Sequence, residues 1–186
     1  MRAGRKPKTN VIRDSSGKSR GEPQGVSAEV KAVRERMLSA AGIDTGEALN
    51  ALAGYTLGKL LLRGRSRPKD PGSISQEQYD AGSEWLKIVC RYSAINGFKS
   101  GIHSPSFAMV GGGRSTAEPD DEQIHRIVQR WTLCHKALRE ACREHGLRVH
   151  EVTRGVVVDN WDLAWLDAKD YGDLRTGLNA LAKVLR

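Results

Sequence analysis

Hydrophobic residues along this chain recur at intervals of three and four positions, which is the spacing of one face of an α-helix. Segments with this spacing begin near Ser27, Asp44, Ser75, Asp120 and Asp173. These residue types are common at the first turn of a helix, where a side-chain oxygen can accept a backbone N–H bond. The pattern predicts an all-α fold, a helical bundle of about six helices.

One stretch, residues 147–158, is ambiguous between helix and strand. Val149, Val152 and Val156 fit a helical stripe. The three consecutive valines at the end of the stretch favour a strand instead. No segment of the chain is recognisable as a partner strand, and we therefore predict a helix here.

The first predicted helix carries Val30, Val33, Met37 and Ala41 at helical spacing, with charged residues between them, and Gly42 ends it. This spacing predicts an amphipathic helix.

We expect the protein as a whole to self-assemble into a homo-oligomer through apolar faces of its helices.

The second helix is predicted from Glu47 to Leu62 and contains two glycines four positions apart. On one face of a helix, this spacing would let another backbone approach closely, within the subunit or from a second one. The alternative is two ordinary weak points, each costing about 1 kcal/mol relative to alanine. We predict an oligomerisation surface formed by Gly54, Gly58, Leu57 and Leu61.

Charge divides the chain into two parts, a basic arm over residues 1–27 and a helical domain over residues 28–186, in which 98–119 marks a potential sub-boundary. The arm holds five of the chain's net eight positive charges, and only Val11 and Ile12 in its first 23 residues are branched and apolar. Such a segment cannot bury enough surface to offset its ordering entropy, so we predict that it is disordered. Its basic residues are Arg2, Arg5, Lys6, Lys8, Arg13, Lys18 and Arg20.

A basic arm of this kind is attracted to the phosphate backbone of nucleic acid through the release of counterions. Within it, Gly4 to Lys8 resembles the core of an AT-hook, an extended segment that enters the narrow minor groove of A·T tracts. Here Lys6 separates the arginine from the proline. The alternative interpretation is a solubilising tail without a fixed partner.

A second basic segment lies between the second and third predicted helices. Four cations fall within seven residues, and prolines and glycines predict a loop that continues to Ser73. A solvated loop would have the same composition, but two basic segments in one chain favour double-stranded DNA as the partner. The predicted DNA contacts in this loop are Arg63, Arg65, Arg67 and Lys69.

Catalytic, metal and membrane functions find little support in the sequence. No run is long enough for a membrane span, and the opening lacks the apolar segment of a secretory signal. The unpaired Cys90, Cys134 and Cys142 fit a reducing cytoplasm, which for a viral protein is that of the host. Cys134 and Cys142 would lie about 12 Å apart on one helix, too far to share a metal ion. We predict no enzyme, no metal and no cofactor.

The short opening Gly4–Lys8 and the glycine-punctuated run Arg13–Arg20 resemble the N-terminus of phage small terminase subunits and related phage DNA-binding proteins. The resemblance implies a subunit that binds viral DNA and forms ring oligomers. These rings present the DNA to a separate large terminase subunit, which carries the ATPase and nuclease. Two alternatives stay open: a transcription regulator with a C-terminal helix-turn-helix, and a basic adaptor or inhibitor that binds an acidic protein or RNA.

Overall fold

The computed structural model describes residues 28–67, 69–97, 120–146 and 148–186, except for the side chain of Leu49. All regular elements in these ranges are helical, which confirms the predicted all-α bundle. The basic arm and the segment 98–119 lie outside the described residues. The α-helices are α1 (Ala28–Ala40), α2 (Thr56–Ser66), α3 (Gln76–Ile95), α4 (Asp121–His145), α5 (Arg148–Val157) and α6 (Ala168–Leu185).

The main core forms around α6, which packs against α3, α4 and α5. Its residues Leu174, Leu178 and Leu181 are completely buried. The helix approaches α5 closely, because a Cβ atom at Gly177 would overlap the side chain of Thr153. α5 itself is buried around most of its circumference, and the helix predicted over 147–158 is confirmed.

A smaller core lies at the other side of α2. There Leu38 of α1 packs with Ile43, Ala48, Ala53 and Leu62. Two short 3₁₀ helices, Thr45–Leu49 and Ala51–Gly54, supply part of this cluster. α1 is therefore joined to the bundle through a connecting segment and through one buried leucine of its own.

Local capping signals in the sequence correctly locate the starts of the two longest helices. Ser75 and Gln78 form a reciprocal capping box at the start of α3. The Asp120 side chain accepts the N–H of Gln123 at the start of α4. The last helix begins earlier than predicted, because Asp167 caps it, and Asp173 is buried inside α6.

The single helix predicted from Glu47 to Leu62 is wrong. The chain forms two 3₁₀ helices and an extended residue, Tyr55, before α2 starts at Thr56. Asn50 caps the second 3₁₀ helix by accepting the N–H of Leu52. α2 then continues to Ser66, so the first part of the predicted basic loop is its last helical turn.

This break also removes the predicted oligomerisation surface. Gly54 and Gly58 do not share a helix, and Leu57 and Leu61 are both buried in the core of the monomer. The tight spacing at Gly58 is used within the chain, where a Cβ atom would overlap the backbone of Leu52. These four residues therefore do not form one exposed face.

Candidate nucleic-acid interface

Arg63, the first of the predicted DNA contacts after the arm, is engaged within the protein. It lies in the last turn of α2 and is half-buried. Its Nε donates to Oδ2 of Asp70 over 2.8 Å, and its guanidinium carbon lies 5.9 Å from the ring centroid of Tyr171. Arg63 closes the turn after α2, and its charge is paired with that of Asp70.

Asp70 is the only acidic residue of this turn, and it is tightly held. The N–H of Gly72 donates to its Oδ1 over 2.7 Å, and this bond, with the positive charges of Arg63 and Arg67, lowers the pKa of Asp70 against the effect of burial. The carboxylate is therefore ionised and its charge is neutralised by Arg63. Its charge acts mainly on Arg63 and more weakly on Arg67.

The remaining three cations are Arg65, Arg67 and Lys69, which we call the α2 basic end. All three are exposed, and none has an ion-pair partner among the described residues. Arg65 donates to the Oε1 of Gln76 over 3.0 Å, a neutral acceptor that leaves its charge uncompensated. Three exposed like charges at one helix end favour an anionic partner.

The seven basic residues of the arm, from Arg2 to Arg20, lie outside the described residues, and so their role stays a prediction. The α2 basic end belongs to the same chain and carries the same sign of charge. Of the four cations predicted as DNA contacts in the second basic segment, Arg63 is paired with Asp70 and the other three are exposed.

A cluster of four rings was missed by sequence reasoning, because its members come from three helices. Tyr92 of α3 stacks on Trp131 of α4, with ring centroids 4.2 Å apart and planes inclined by 6°. His135 lies 4.9 Å from Trp131, and His150 of α5 lies 5.1 Å from His135. We call these four half-buried rings the ring ladder. Only the spacing of Trp131 and His135, one helical turn apart, could have suggested part of it.

The end of the ring ladder at His150 lies in a positive field. Burial lowers the pKa of His150, and the neighbouring His135, Arg154 and Arg139 lower it further. Arg139 has no ion-pair partner among the described residues, while Arg154 lies 3.7 Å from the carboxylate of Asp159. The lowered pKa keeps His150 neutral near pH 7, so the positive charges at this end of the ring ladder are those of Arg139 and Arg154.

Thiol and metal chemistry have no built site in the part of the chain that the structure describes. Burial raises the pKa of Cys90 and of Cys134 to about 11 in each case, so both thiols stay protonated. No group of three His, Cys, Asp or Glu side chains in the described ranges could hold a metal ion. None of the described helices has an apolar run of the length that crossing a bilayer requires.

Compared with known proteins, the chain matches no family model, no curated protein and no solved structure.

Proposed function

We propose that this protein binds double-stranded DNA through contacts to the phosphate backbone, made by the α2 basic end together with the basic arm. One observation carries the proposal: the only carboxylate of the turn pairs with Arg63, and Arg65, Arg67 and Lys69 are exposed without an ion-pair partner among the described residues. Cations placed in this way gain free energy when they replace the counterions of a phosphate backbone.

The more specific function that we propose is that of a phage small terminase subunit, which binds the viral genome and self-assembles for packaging. Its support is the resemblance of Gly4–Lys8 and Arg13–Arg20 to the N-termini of that group. The protein would then work beside a large terminase subunit that supplies ATP hydrolysis and DNA cleavage.

The regulator alternative is less well supported, because neither C-terminal helix exposes a face suited to reading bases. A recognition helix must insert several side chains into the major groove. On α5, only Arg148, Glu151 and Arg154 are exposed, and its valines and Thr153 are buried. α6 is the central helix of the core, with Leu174, Leu178 and Leu181 fully buried.

A salt-dependent binding titration tests the proposal. Fluorescence anisotropy with a labelled duplex should give an affinity that falls steeply with salt, by about −0.9 in log–log slope for each phosphate neutralised. Deleting Met1–Arg20 should weaken binding and flatten the slope on every DNA sequence. If the AT-hook resemblance holds, Arg5→Ala should cost more affinity on A·T-rich than on G·C-rich duplex.

Absence of binding by the intact chain at low salt would contradict the proposal. It would favour the remaining alternative, an adaptor or inhibitor whose basic arm binds an acidic protein or RNA.

A further inference from the structure

The apolar stripe of α1 faces outward. Val30, Val33 and Met37 are 45%, 54% and 45% exposed, whereas the single buried residue of the helix is Leu38. The three side chains form one wall of a groove of about 530 Å³ between α1, the end of the second 3₁₀ helix, the start of α2 and the segment after α5 that contains Asp162. An exposed stripe of this length on one helix is typical of a surface that another helix covers.

A buried cation also lines this groove. Lys59, in the first turns of α2, is only 7% exposed. Within the described residues its ammonium group has neither a carboxylate within 4 Å nor a hydrogen-bond acceptor. Lysines are almost never buried to this extent without a partner. The groove therefore provides an apolar wall and a largely buried cation without an ion pair among the described residues, and the exposed carboxylate of Asp162 lies elsewhere in its lining.

The chain itself contains a segment with the matching chemistry. Glu29, beside the apolar stripe at the start of α1, is exposed and has no ion-pair partner among the described residues. The other acid of the helix, Glu35, is already 3.7 Å from Lys31. A second α1 would thus bring apolar side chains to the wall of the groove and a free carboxylate to Lys59.

We propose that the α1 groove is a self-association surface, which receives the α1 helix of a second copy and pairs that copy's Glu29 with Lys59. The contact is isologous, so that each copy both gives and receives the same helix. It replaces the predicted surface around Gly58 and extends the proposed function, of which self-assembly is a part. The test of self-association uses no DNA. Its failure would therefore leave the DNA-binding proposal standing, and failure of DNA binding would leave self-association standing.

The contact is small. A helix of 13 residues is about 20 Å long, and one helix pair covers less than the roughly 1,200 Å² of a standard stable interface. We therefore expect a weak dimer whose population depends on protein concentration. Sedimentation velocity of the full chain, over a roughly hundredfold range of concentration, should show a shift from monomer to dimer.

Two matched variants separate this surface from general surface hydrophobicity. Val33→Glu should shift the equilibrium to monomer, because it places a charge in the middle of the stripe. Leu133→Glu is the control. Leu133 on α4 is 53% exposed, close to the 54% of Val33, and it lies outside the groove. A chain that is monomeric at every concentration, or a Val33→Glu variant that dimerises as well as the original, would overturn the proposal.

A charge exchange tests the Glu29–Lys59 pair itself. Glu29→Lys should weaken the dimer about tenfold or more, and combining it with Lys59→Glu should restore association between the doubly changed copies. If Lys59→Glu prevents folding, Glu29→Gln, at an exposed position, still tests the pair by weakening the dimer. An unchanged dimer in Glu29→Lys or Glu29→Gln would overturn the assignment of this pair.

Discussion

Nε of Arg63 lies 2.8 Å from Oδ2 of Asp70, and this salt bridge closes the turn after α2, where the other cations are exposed. The two side chains are largely shielded from water, being 23% and 11% exposed. The pair therefore influences both the stability and the charge of this region. Without Arg63, the carboxylate of Asp70 could neutralise one of the cations that we propose bind DNA.

Loss of Arg63 should therefore affect both stability and DNA affinity. Arg63→Ala leaves Asp70 without its cation and should lower the free energy of unfolding by about 1–3 kcal/mol. The freed carboxylate should also weaken DNA binding, although Arg63 does not contact DNA in this account. Thermal denaturation and anisotropy measure the two effects, and an unchanged melting temperature would contradict the structural role of the pair.

Gly58 should not tolerate a larger residue. A Cβ atom there would overlap the backbone of Leu52, which cannot move as a side chain could. Gly58→Ala should therefore destabilise the protein by about 1–3 kcal/mol through overpacking. The control is Gly172→Ala on α6. An added Cβ atom there would have no neighbouring atom from another part of the protein within 4 Å, and helix propensity favours alanine by up to about 1 kcal/mol. Equal melting temperatures for both variants would show that the close approach at Gly58 is absent.

His150 should titrate below the ordinary histidine value of about 6.5, because burial, His135, Arg154 and Arg139 all disfavour its charged form. A depressed pKa means that the unfolded chain takes up this proton first. The stability due to neutral His150 is therefore complete above pH of about 6.5 and is lost as the pH falls towards the lower, folded-state pKa.

NMR titration of the histidine ring protons checks this directly. Arg139→Ala should raise the pKa of His150, whereas Arg126→Ala, more than three turns away on the same helix, should leave it nearly unchanged. A pKa of His150 at or above the ordinary value in the unmodified protein would contradict the positive field at the end of the ring ladder.

Periodicity and local capping could predict the elements whose signals lie close together in sequence. Ser75 and Gln78 are three positions apart, and their capping box locates α3 without any knowledge of the rest of the chain. The break before α2 could not be found in this way. The N–H of Thr56 is accepted by Oδ1 of Asn160, a residue 104 positions further along the chain.

The candidate sites show the same limit. Charge clustering in the sequence identified the group of cations around the end of α2. It could not show that Arg63 pairs with Asp70, whereas Arg65 bonds to the neutral side chain of Gln76. Helical spacing identified the stripe that contains Val33, yet spacing alone does not show whether the core or another molecule covers a stripe. The ring ladder required the packing of three helices, which no local pattern reports.

The central claim is that the exposed cations of the α2 basic end bind DNA, and a pair of charge-matched variants tests it most directly. Arg65→Ala with Arg67→Ala removes two charges from the α2 basic end. Lys169→Ala with Lys183→Ala removes two exposed lysine charges from α6 and gives the same net charge. Both are compared with the intact chain in anisotropy titrations on one duplex at several salt concentrations. We expect the first variant to bind more weakly and to flatten the log–log salt slope by up to about 1.8, while the second stays close to the intact chain. Equal binding by the two variants would contradict the claim.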